Sequence, residues 1–205
     1  MAEIDLHKPI KTVFNIALYG AMWTDTYYPE NTDPSSALET RPESDWKNFA
    51  RCRQSTTDVQ TEEDQEDSFD AKAKRRVRVP NTKTTVRGQS YEMERQTLAY
   101  IAMYNGVKNP FSEETQAAIA SGKGLQIAGT TNPRVKMCLK EETYDDEQNL
   151  LFTRYQYGYM LTTGQQVSDG KLSRPTLQFE EEASMYNTLV FSEYLKGLAT
   201  PDEEV

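Results

Sequence analysis

A chain of 205 residues has room for one domain of ordinary size, and its 37% apolar content and mean hydropathy of −0.77 are low for a thick two-sided core. With 12 Tyr and 7 Phe the composition instead suits a sheet with one wet face, whose strands need only alternate residues to be apolar. The balance of 32 acids to 23 bases, a formal charge of −9, excludes broad binding to phosphate backbones, and no run approaches the roughly 18 apolar residues of a membrane span.

The N-terminus, MAEIDLHKPI, lacks a basic start followed by an apolar stretch, so synthesis in the cytoplasm is expected. Lys11 to Gly20 alternates and is rich in β-branched and aromatic residues, which predicts a strand. From Asp25 to Glu43 the composition turns to Asp, Asn, Ser and Thr punctuated by Pro29, Pro34 and Pro42, the mark of a long loop. Ser44 then resembles a helix cap, and Trp46, Phe49 and Ala50 at three- and four-residue spacing predict a short helix to about Arg53.

Next, six acids between Glu62 and Asp70 are followed by five bases between Lys72 and Arg78. Two readings stand: a solvated, mobile loop, or a hairpin or arm whose acidic limb meets a basic limb, its own or a neighbour's. Residues 25–79 are accordingly expected to be a long loop or insertion in a single domain spanning 1–205, with 198–205 a flexible acidic tail. Thr82 to Gln96 predicts one long strand, or two bent at Gly88, with polar residues on both faces. Such a strand suits edges or faces buried by partners.

Leu98, Ile101 and Ala102 lie at helical spacing before an Asn105-Gly106 stop, and Ser112 caps a second small helix that ends near Gly122. Gly124–Thr130, Arg134–Tyr144 and Leu150–Leu161 are strand-like, an Asp-Gly turn follows at 169–170, and Leu177 and Phe179 alternate inward against Gln178 and Glu180. The last apolar stretch, YNTLVFSEYLKGL, fits a strand into a helix or a helix throughout. The fold class is therefore mainly β (α+β): a β-sandwich or partial barrel of about five to seven strands with one or two small flanking helices and a long loop or arm.

Little in the chain suggests chemistry. A triad, a Cys-His pair or a histidine metal cluster would all have to use the single histidine, His7. Cys52 and Cys138 are far apart with no CxxC, so two reduced thiols are expected. Gly122-Lys123-Gly124 lacks the order of a phosphate loop, and the glycines follow a helix where they should precede one. The acid pairs Glu141-Glu142 and Glu180 to Glu182 are expected in loops or on solvated strand faces. No cofactor, no metal and no enzymatic activity is expected. Tyr155, Tyr157 and Tyr159 share one strand face, a ladder suited to cross-strand packing or a subunit interface in preference to a ligand platform.

Three stretches together resemble the tail tube (major tail) proteins of long-tailed bacteriophages: TTVRGQSYEMERQ running straight into TLAYIAMYNG, the helix beginning at Ser112, and SDGKLSRPTLQFEEEASMYNTLVF. The resemblance covers about the last 125 residues. It implies a self-assembling virion protein, built as hexameric rings stacked into a hollow tube, with tape measure and tail terminator proteins as partners. DNA would pass through the lumen without specific binding. An acidic lining repels a polyanion, and the candidate lumen-facing residues are Glu92, Glu94, Gln178 and Glu180. Competing expectations are another phage structural protein (tail terminator, connector or decoration protein) and a Tyr-lined ligand-binding module.

Overall fold

The structure, a computed structural model, describes residues 13–24, 27, 33–70, 75–95, 97–105, 107–124, 134–161, 175–181 and 187–198. Seven strands form one antiparallel sheet: β1 (Val13–Met22), β2 (Lys47–Asp70), β3 (Arg75–Met93), β4 (Arg134–Asp145), β5 (Leu150–Leu161), β6 (Thr176–Glu181) and β7 (Thr188–Phe191). Their order is β4-β1-β2-β3-β6-β5-β7, and β4 also pairs with β5. Six strands thus close into a barrel and β7 is an addition. One edge of β5 is shared, with residues 158–161 against β6 and residues 152–155 against β7. Between them the Asn187 side chain accepts from the Tyr157 backbone N–H at 3.0 Å. The expected mainly-β class with small flanking helices is what the chain adopts.

Alternation decides which side chains enter the barrel. On β4, Val135, Met137 and Leu139 point inward; on β6, Leu177 and Phe179 do; on β3, Tyr91 and Met93 do. With Ile16, Leu18, Phe49 and Met160 they make the interior cluster. Gly158 makes the closure possible: a Cβ there would collide with the Glu180 backbone carbonyl and the Phe179 ring. Helix α1 (Leu98–Tyr104), capped by Thr97 accepting from the Tyr100 N–H at 3.2 Å, delivers Tyr100 and Met103 to the same cluster. Of the expected face Ala102 is buried and Ile101 half-buried, whereas Leu98 is 63% exposed. Helix α2 (Glu113–Ala120) begins where expected, with Ser112 Oγ accepting from the Thr115 N–H at 3.1 Å, and Gly122 in the left-handed region (φ +66°) follows its end. The ambiguous C-terminal stretch resolves into β7 followed by helix α3 (Glu193–Leu198).

A second apolar cluster lies on the outside of the barrel. Three short 3-10 turns at Pro34–Ser36, Leu38–Thr40 and Glu43–Asp45 run as a strap over β1, β4 and β5, and Leu38 and Trp46 join Ala21, Cys138 and Tyr157 beneath it. Complete burial of a side chain such as Leu38 stabilises the strap by about 2 kcal/mol. The helix expected from Ser44 to Arg53 does not form. Residues 43–45 are a single 3-10 turn, and β2 starts at Lys47. The cause is a bulge: Leu18 pairs with Ala50 and Tyr19 with Asn48, so Phe49 is an extra residue. It sends Phe49 and Ala50 inward together and imitates helical spacing.

Beyond the barrel, β2 and β3 continue as a two-stranded ribbon. Its register sets Glu62 opposite Lys83, Asp67 opposite Arg78 and Asp70 opposite Arg75. The acidic limb therefore meets the basic limb of the same chain, and the solvated-loop reading gives way to the hairpin reading. Acids and bases at matched register, with Val77, Val79 and Thr84 to Val86 among them, supply strand propensity that charge counting overlooks. Of the two readings of Thr82 to Gln96 the single long strand holds through Gly88, where no register shift occurs; the shifts fall at Cys52/Gln54 and Gln60/Glu62. The predicted strand over 124–130 and the turn at 169–170 fall almost wholly outside the described residues, as does the acidic tail after Leu198.

Candidate functional site

Directly opposed residues of an antiparallel pair share a face, and that rule brings three of the four candidate lumen residues together. Glu92 is opposite Thr176, Ser90 opposite Gln178 and Gly88 opposite Glu180. Next to them on the same outer face come Tyr159 and Leu161 of β5, then Lys136 and Arg134 of β4. The face is not uniformly acidic. Arg134 lies 3.1 Å from Glu180, and Lys136 sits 3.9 Å from the centre of the Trp23 ring and 5.7 Å from that of Tyr159. The face thus carries two acids, Glu92 and Glu180, and two bases, Arg134 and Lys136, with Arg134 paired to Glu180. Glu94 is separate, just past β3, with its N–H donating to the Arg51 carbonyl at 2.9 Å and its carboxylate 3.8 Å from Arg53.

The tyrosine ladder occupies the outer face under the strap. Tyr157 is fully buried there, with Trp23 edge-on at 5.4 Å and its hydroxyl donating to the Ser36 carbonyl at 3.4 Å. Tyr155 packs against Trp46 at 5.8 Å; it and Tyr159 are half-buried. The centre of the ladder is therefore covered by the subunit's own strap, and only its two ends retain surface. Lys140 pins the strap: its ammonium meets Glu43 at 2.5 Å and Glu142 at 3.0 Å, above the Tyr19 ring at 4.6 Å. Burial alone would lower its pKa, but hydrogen bonds to the two carboxylates more than offset that and raise it.

Inside the barrel, one end is polar, which the sequence did not signal. Glu141 and Glu181, expected on solvated surfaces, are buried with Gln89, Tyr91 and Gln156. The Tyr91 hydroxyl has one proton and donates it to Glu141 at 2.7 Å; burial, reinforced by the Glu141 charge, holds its pKa well above the ordinary value, so it remains a donor. With the Gln89 amide turned to satisfy both its ends, its NH2 donates to Glu141 at 3.3 Å and its carbonyl accepts from Arg154 at 2.9 Å. Gln156 donates to Glu181 at 2.9 Å. These groups come from β3, β4, β5 and β6, so no local spacing could announce them. Closed off from solvent and mutually satisfied, they specify the strand register.

Nucleophilic chemistry finds no support in the thiols. Cys52 and Cys138 are free, buried, and in different clusters. Burial, reinforced at Cys52 by nearby acids and opposed at Cys138 by Arg41, pushes each thiol up to about 12. His7 lies outside the described residues, and among the described residues no group of three or more His, Cys, Asp or Glu is placed to hold a metal ion. Two features stand out instead. On β7, Leu189, Val190 and Phe191 are 44%, 41% and 50% exposed, on a strand paired along one edge only among the described residues. The other is the ribbon.

No protein-family model matches the chain, and no curated protein matches it. Among solved structures, it is similar to a chain in the tail of an empty GTA (gene transfer agent) particle computed with helical refinement in C6 symmetry. The identity is 9% and the TM-score 0.35, over 73% of this chain and 88% of that one. A likeness of that order has no bearing on function.

Proposed function

We propose that this chain is a non-enzymatic tail structural protein of a long-tailed bacteriophage, assembling with copies of itself into hexameric rings stacked as a hollow tube for DNA. The ribbon carries the proposal. A closed barrel satisfies its own edges, yet 11 residues of β2 (60–70) and 12 of β3 (75–86) pair only with each other among the described residues. Isolated two-stranded ribbons are marginally stable in water, so a ribbon of this length suits burial in an assembly, as an arm reaching a neighbouring ring. The exposed Leu189, Val190 and Phe191 of β7 support the same reading, because exposed apolar side chains on an edge strand invite a partner. The resemblance in sequence supplies the tube; tape measure and tail terminator proteins as partners, and residence in the virion, belong to it. The outer face with Glu92, Gln178 and Glu180 is the candidate lumen lining, though of mixed charge. A Tyr-lined ligand site is disfavoured by the burial of Tyr157.

Purified protein, followed by light scattering against concentration and by negative-stain microscopy, tests this. Rings and stacked tubes are expected. A strict monomer at the highest attainable concentration overturns the proposal, and discrete rings that never stack indicate a terminator or connector.

A further inference from the structure

The two limbs of the ribbon differ in charge without exception. From Gln54 to Asp70, β2 carries seven acids and no base; from Arg75 to Val86, β3 carries four bases and no acid. Each limb has one edge inside the ribbon and one edge that meets no other strand among the described residues, since β1 leaves β2 at Cys52 and β6 leaves β3 at Arg87. Within the ribbon, register sets acid against base at three positions: Glu62 with Lys83, Asp67 with Arg78 and Asp70 with Arg75. Asp58, Glu63, Asp64 and Glu66 have uncharged residues opposite, and so does Arg76. The ribbon's own pairing therefore leaves a surplus of negative charge along one limb.

We propose that the ribbons of neighbouring copies pair edge to edge in one order only, the acidic β2 edge of one copy against the basic β3 edge of the next. This rests on the self-assembly reading above and adds its polarity. The open backbone groups of both edges favour strand addition. Charge then chooses among the possible contacts. A two-fold contact would set β2 against β2, acid facing acid across the roughly 5 Å between neighbouring strands, or β3 against β3, base facing base. Both are disfavoured by like charge, whereas β2 against β3 matches opposite signs and lets the surplus acids meet a neighbour's bases. Such a contact is heterologous: it uses two different surfaces, leaves one of each free at every step, and generates a closed ring or an open filament but never a two-fold dimer. Pro80, which lacks an N–H, costs the added ladder at most one bond.

Two reversals test it in the full chain. One replaces Asp64→Lys, Glu66→Lys and Asp67→Lys, making both limbs basic over the outer stretch 64–70 and 75–81; the other replaces Arg75→Glu, Arg76→Glu and Arg78→Glu, making both acidic there. By sedimentation velocity, each alone should self-associate at least about tenfold more weakly than the unchanged chain, and an equimolar mixture should recover assemblies containing both. The chain carrying all six changes, with the limbs exchanged in sign over that outer stretch, should assemble by itself, which guards against a fold defect in either triple variant. Reversals that assemble like the unchanged chain, a mixture that stays apart, or a six-fold variant that stays apart each overturn the pairing order. Failure of the unchanged chain to associate at all overturns the self-assembly reading as well, so the two failures are distinguishable.

Discussion

Each of the six barrel strands has a neighbour on both edges, while the ribbon that extends from two of them has a neighbour on one. The same two strands thus live in two environments. At Gln89, Tyr91 and Met93, β3 feeds a closed interior; between Arg75 and Val86 it carries bases and Thr and pairs with β2 alone among the described residues. The barrel therefore holds its stability within the subunit, whereas the ribbon is an unfinished sheet that contributes little to it. Substitutions in the two regions should separate folding from association.

The largest effect is expected at Gly158. Replacing it with Val drives a branched side chain into the Glu180 carbonyl and the Phe179 ring where β5 meets β6. Backbone is the obstacle, so the cost should reach about 3 kcal/mol or more, read as a lowered denaturant midpoint. A midpoint equal to that of the unchanged chain would mean the barrel is not closed there.

Lys140→Met should cost less, about 2 kcal/mol, because Glu142 loses its cation and keeps the Tyr144 hydroxyl at 2.6 Å, while the exposed Glu43 returns to water. It also has a pH signature. The folded-state pKa of Lys140 is raised, so its contribution is full below the ordinary lysine value of about 10.4 and fades as pH rises through the raised one. Thermal unfolding between neutral pH and pH 11 should show the unchanged chain losing that increment at the alkaline end and the variant showing no matching loss. Equal alkaline slopes would exclude the ammonium as the strap's pin.

The barrel was the more legible region. Val135, Met137 and Leu139 against Lys136, Cys138 and Lys140 fixed β4 in the sequence, and Ser112 fixed the start of α2, because alternation and capping are local. What escaped was non-local. The bulge at Phe49 disguised a strand as a helix, and it exists because β1 lies alongside. Glu141 and Glu181 read as solvated acids because their partners Tyr91 and Gln156 arrive from other strands. The sequence leaves Tyr157 open between cross-strand packing and a subunit interface, because the strap that covers it, at Leu38 and Trp46, has a composition typical of an open loop. In the ribbon the sequence left the acid and base blocks open between loop and hairpin, and strand pairing decided.

The smallest effect on folding, and the sharpest contrast, should come from removing the ribbon. Val59 and Arg87 are directly opposed, so replacing residues 60–86 with Asn-Gly, which favours a two-residue hairpin turn, reconnects the strands while keeping every β3–β6 pair from Arg87 to Glu92. Shortening a connection relieves closure entropy slowly, at about 0.6 kcal/mol per halving, and the excised ladder pairs with no barrel strand among the described residues. Barrel stability should therefore shift by less than about 1 kcal/mol, while light scattering reports loss of association. A barrel that unfolds on excision would show that the ribbon folds back and supports it. If instead association survives, the exposed strip of Leu189, Val190 and Phe191 on β7 is the surface through which copies meet.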